Sequence, residues 1–177
     1  VARQAGEKPR YEYAVGNPLV AAVTPNIFSP IRDTGVTWAD LSLPFLWWRN
    51  GTLAGSASIK GRDCFVIDVE PDAADGEAKQ AVTVVRMWID KKYRMLLQAE
   101  EYGPGNKTMR RLSVQSFKKI NEEWMIKDIV VAGSTNLPSG YKSFLTIKEM
   151  SSPGKPRTIV APPTDADVLH AVPDALR

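Results

Sequence analysis

Cysteine and histidine are nearly missing from this chain: its 177 residues hold one of each. Without a second cysteine no internal disulfide can form, and no Cys/His cage for zinc can be assembled. A Ser-His-Asp or Cys-His mechanism would rest on His170 alone, which lies in a Pro-rich stretch between Leu169 and Ala171. Long apolar runs are missing too. The best, Leu19 to Val23, falls far short of the ~18–20 residues of a membrane helix. A glycine-rich phosphate cradle is absent, because Gly103-Pro104-Gly105 is a short turn between two strand patterns. Charge of one sign is scarce: 23 basic against 20 acidic residues leave a net of +3, which gives little reason to expect nucleic acid as a partner. The chain opens at Val1 with neither an initiator Met nor an apolar leader, so the compartment is not legible from its start. These absences lead to an expectation of no catalytic residue, no metal and no cofactor.

What remains is an ordinary globular composition, 44% apolar and 24% charged, enough for one domain with a real core. Its middle alternates with period two. Arg62–Pro71 sets Cys64, Val66 and Asp68 against Phe65, Ile67 and Val69. Val82–Ile89, Met95–Tyr102, Thr108–Ile120, Trp124–Ala132 and Ser143–Met150 continue the pattern. Such alternation, rich in Val, Ile and aromatics, predicts strands. Short polar turns such as Asp90-Lys91-Lys92-Tyr93 and Asn121-Glu122-Glu123 predict antiparallel neighbours, since parallel ones need long crossovers. The expectation is a meander of about six strands.

One stretch breaks the rhythm. Thr37 to Trp48 reads as two short helical turns: Thr37 caps the first, with Asp40 three residues on, and Ser42 with Pro44 starts the second. It also holds three of the five tryptophans, Trp38, Trp47 and Trp48, with Leu41, Leu43, Phe45 and Leu46. So much apolar surface serves either as core or as the lining of an apolar ligand pocket. Other candidates read more plainly. Cys64 is expected to be a structural thiol. Asp68, Glu70 and Glu101 would be the carboxylates of a hydrolase, although no spacing pairs them. Lys107, Arg110, Arg111, Lys118, Lys119 and Lys127, flanked by glutamates, read as one exposed, solvated face. After Met150 the chain turns Pro-rich, with five of its 13 prolines in Ser151–Arg177, and is expected to be an extended tail.

In order and spacing, several segments resemble the bacterial outer-membrane lipoprotein-sorting protein family, relatives of the carriers LolA and LolB. They are Phe28-Ser29-Pro30-Ile31, Thr34 to Trp48, Ile59 to Cys64 and Val85 to Lys91, then Leu96 to Glu100, Ser116 to Ile120 and Trp124 to Ile129. The resemblance implies an α+β, mainly β fold. A curved antiparallel sheet would form an incomplete barrel, with short helices packed on its concave face, as one half-barrel domain over residues 1–150 short of some N-terminal elements. It further implies a non-enzymatic carrier or receptor at the periplasm or the periplasmic face of the outer membrane. Its ligand would be the acyl chains of lipoproteins or another lipid, and its protein partners transport components of the inner or outer membrane. Trp38, Leu41, Phe45, Leu46, Trp47 and Trp88 would then line or close the apolar cavity. A cell-envelope interaction module without bound lipid is the alternative.

Overall fold

The structure, a computed structural model, describes residues 13–15, 20–22, 26–32, 34–72, 82–120, 123–133 and 140–148. His170, the Pro-rich tail and the domain limit at residue 150 lie outside them. Two three-residue strands, β1 (Tyr13–Val15) and β2 (Val20–Ala22), pair only with each other. The main sheet follows in strict chain order: β3 (Asn50–Ile59), β4 (Arg62–Glu70), β5 (Val84–Asp90), β6 (Leu96–Gly103), β7 (Lys107–Ile120), β8 (Glu123–Ala132) and β9 (Lys142–Thr146). Every pairing is antiparallel, as short turns demand. The six expected strands are present, and β3 is a seventh. Its sequence, NGTLAGSASI, holds only Thr52 and Ile59 of the β-branched and aromatic residues that mark strands. It forms because one side pairs with β4 along its whole length.

The sheet curves without closing, since β3 and β9 remain its two edges. Register shifts between Leu53 and Gly55, Trp88 and Ile89, Glu101 and Tyr102, and Val114 and Phe117 each bend a strand locally. The bend brings the β3–β4 turn onto β7, where the Lys60 Nζ donates to Val114 O at 3.0 Å.

Pairing separates two faces. The concave one carries Val69, Val85, Met87, Ala99, Leu112, Val114, Ile129 and Val131, all buried in one cluster with Phe45. The opposite face carries a charged row, Asp68, Arg86, Glu100 and Arg111, on directly paired positions of four strands. Arg86 holds Asp68 through two bonds of 2.7 and 2.8 Å. Arg111 and the Tyr102 hydroxyl both donate to Glu100 at 2.6 Å. Alternating signs at paired positions stabilise a sheet where like charges would oppose it.

The two helical turns are α1 (Trp38–Ser42) and a 3-10 turn, Pro44–Trp47. Thr37 caps α1 in a full capping box with Asp40, as expected. The second start differs from the Ser42 expectation. Ser42 Oγ instead donates to Trp38 O, and Leu43, at φ 47°, turns the chain into the Pro44 segment.

Candidate functional site

The stretch from Thr37 to Trp48 lies against the concave face as a short lid. Its N-terminal side is held from below: Ala39 N donates to Ile27 O at 2.7 Å, and Pro30 bridges Thr37. At the other end Arg49 N donates to Asp72 Oδ1, just after β4, at 3.0 Å. Between these ties Phe45 is sunk into the core, with Leu43 and Trp48 packed against it. Pro44 at the turn's first position costs no hydrogen bond and presets the backbone.

One side chain latches the lid to the sheet. Arg110 of β7 donates through Nη2 to Asp40 Oδ2 and, at 2.7 Å, to Gly35 O. Asp40 also accepts from the Thr37 amide at 2.6 Å, so one carboxylate caps α1 and anchors it. The pair is removed from water, with side chains 4% and 14% exposed for Asp40 and Arg110. Glu101 of β6 stands on the same face, its Oε2 3.8 Å from Arg110 Nε. That Nε is buried and makes no hydrogen bond. Burial pushes the Glu101 carboxyl up to about 7; Arg110 pulls against this and Asp40 adds to it.

The sequence candidates are placed as follows. Phe45 fills the core, and Trp38 is half-buried on α1. Leu41, Leu46 and Trp47 are 52%, 42% and 41% exposed, so the lid keeps apolar surface open to solvent. Trp88 pairs with Val66 and Gln98, so it stands on the face of Arg86 rather than that of Met87. Beyond the lid, Ile67, Ile89, Phe117, Ile126 and Leu145 border the core and stay partly open. The concave face therefore keeps partly exposed apolar side chains around its buried cluster.

Two readings are corrected. The basic group is not one face: Arg110 is buried under the lid, while its neighbour Arg111 lies on the charged row. The carboxylates of the hydrolase reading are divided between faces. Asp68 is engaged by Arg86 on the outer side, and Glu101 is opposite Val85 on the concave side. Cys64 is fully buried and its Sγ donates to Arg62 O. Burial raises its pKa, which suits a structural thiol. Among the described residues no cluster of His, Cys, Asp and Glu is suited to holding a metal. No described helix is long and apolar enough to cross a membrane.

A half-open antiparallel sheet with a short lid on its concave face defines a LolA-like fold. A LolA superfamily protein from Nitrosomonas europaea matches with a TM-score of 0.54 and 18% identity, over 72% of this chain and 54% of its own. An outer membrane lipoprotein-sorting protein domain from Vibrio parahaemolyticus matches with a TM-score of 0.53 and 18% identity, over 64% and 47%. A DUF1329 family protein from Desulfovibrio piger gives 0.53 and 17%, over 65% and 47%. The chain thus spans about half the length of these structures. In sequence, residues 29–154 match the profile of a family described as "Uncharacterized protein", and the chain belongs to that family. No curated protein matches it.

Proposed function

We propose that this chain is a non-enzymatic carrier or receptor of the bacterial periplasm or outer-membrane periplasmic face. It lodges the acyl chains of lipoproteins, or of another lipid, between the concave face and the lid. The observation that carries this reading is the excess of apolar surface at the site. Ile67, Ile89, Phe117, Ile126 and Leu145 pack against the core and stay partly exposed, and Leu41, Leu46 and Trp47 of the lid are exposed. Burying acyl chains there contributes ~0.8 kcal/mol per methylene, with no nucleophile, metal or cofactor. Phe45, Leu43 and Trp48 pack into the concave face and would shift as the lid lifts. The likeness to lipoprotein-sorting structures supports the same reading.

Uptake of a fluorescent fatty-acyl probe tests it. Leu46→Glu with Trp47→Glu is expected to abolish uptake while the far-ultraviolet circular dichroism stays that of a folded sheet, because both side chains are exposed. Undiminished uptake in the folded variant would refute this use of the lid. A wild-type chain that takes up no probe would favour the second reading, an envelope interaction module whose exposed lid residues contact protein.

A further inference from the structure

The net charge of this chain is small, but it is not evenly spread. Alternating strand direction brings the β3–β4 and β5–β6 turns, the end of β7 at Ile120 and the start of β8 at Glu123 to one end of the sheet. Lys60, Arg62, Lys91, Lys92 and Arg94 stand against Asp63 and Asp90 in the two turns. Where the sequence passes from β7 to β8, Lys118 and Lys119 are balanced by Glu122 and Glu123, leaving a surplus of three positive charges, equal to the +3 of the whole chain.

Local geometry concentrates these cations. Lys60 and Gly61 both take positive φ, the two-residue turn that joins strands with right-handed twist. The β5–β6 turn is tied by Asp90, which accepts from the amides of Lys92 at 2.9 Å and Tyr93 at 2.6 Å, and from Arg62. Burial works to raise the Asp90 pKa, but the Tyr93 amide and Arg62 outweigh it and hold it low. Asp90 is buried and its charge is turned inward. Between the two turns opens a cleft of about 570 Å³, lined by Lys60, Arg62, Lys91, Lys92 and Tyr93 with Asp63 and Asp90.

The same end exposes apolar groups. Tyr93 is exposed, its ring flanked by Arg62 and Lys92, each 5.2 Å from the centroid. On the neighbouring hairpin, exposed Trp124 and Met125 pair with Lys119 and Lys118. Rings set among lysines match a lipid interface, where aromatics lie at headgroup depth and cations meet phosphates. An acidic protein surface would match the charge but leave the exposed rings without a purpose.

We propose that the end of the sheet formed by the β3–β4 and β5–β6 turns, with Lys118, Lys119, Trp124 and Met125 at the paired ends of β7 and β8, docks on an anionic phospholipid membrane. The proposal does not depend on acyl-chain carriage, and its test uses vesicles without lipoprotein. The full chain is sedimented with vesicles of phosphatidylglycerol and phosphatidylcholine in equal parts, and with phosphatidylcholine alone. Binding is expected only to the anionic vesicles and to fall as salt is raised. Lys91→Glu with Lys92→Glu is expected to lower partitioning at least roughly 30-fold. Lys107→Glu, at the opposite end, is expected to leave it unchanged. Should the double variant lose its fold by circular dichroism, Lys92→Glu alone, on an exposed side chain, is expected to lower partitioning roughly 5-fold. Equal binding to both vesicle types would overturn the proposal. So would no binding to either, or equal loss in the Lys107 variant.

Discussion

Arg110 and Arg111 are neighbours in one strand and point to opposite faces of one sheet, yet they do different work. Arg111 is 55% exposed and joins Glu100, whose own side chain is only 9% exposed, so water reaches this pair from the Arg111 end. Arg110 is shut under the lid with Asp40, where its bonds to Asp40 and Gly35 substitute for water. The outer row sets charge alternation across strands, a small and distributed effect. The inner pair joins two elements 70 residues apart, and with them the lid to the wall it covers.

The largest effect should come from breaking the inner pair. Arg110→Met leaves Asp40 buried without its cation and is expected to cost about 3–5 kcal/mol in urea unfolding. A cost no larger than that of Arg111→Met would erase the distinction between the faces. Thr37→Ala removes the cap of α1 and should cost ~1 kcal/mol by the same measurement. It acts on the lid alone.

The pH dependence sharpens the contrast further. Glu101 holds its proton in the folded chain up to about 7, against an ordinary value of 4.5. Between these values the native state binds more protons than the unfolded one, so this group makes stability fall as pH rises from 4.5 to 7. Glu101→Gln is expected to flatten that part of the stability curve. An unchanged slope would show that Glu101 titrates normally. The smallest effect belongs to the outer row, where Arg111→Met should cost about 1 kcal/mol, because Tyr102 and Gln98 still donate to the buried Glu100.

Much of this architecture was legible in the residues. Period-two alternation located six strands, and Thr37, Asp40 and Pro44 marked two helical turns, because strand faces and caps are local properties. β3 was not legible: its glycines, alanines and serines carry no strand signal, and its pairing with β4 creates it. The reading of the basic residues as one exposed face misses that alternation turns Arg110 and Arg111 to opposite sides, and alternation does not say which side is concave. That depends on the bulges that curve the sheet, and Asp40 as the partner of Arg110 depends on the lid folding back. Of the six apolar candidates, five lie on the lid and divide into Phe45 sunk in the core, Trp38 half-buried, and Leu41, Leu46 and Trp47 at the surface. Trp88 falls on the other face because the β4–β5 register sets its parity. Residue type alone does not carry that information.

The central claim is that the concave face takes acyl chains. Native mass spectrometry of the purified chain, after incubation with a diacyl lipid, measures this most directly. The account predicts a bound species heavier by one lipid mass, lost in the Leu46→Glu, Trp47→Glu variant. A bare-chain mass alone, from a folded wild-type protein in excess lipid, would contradict it.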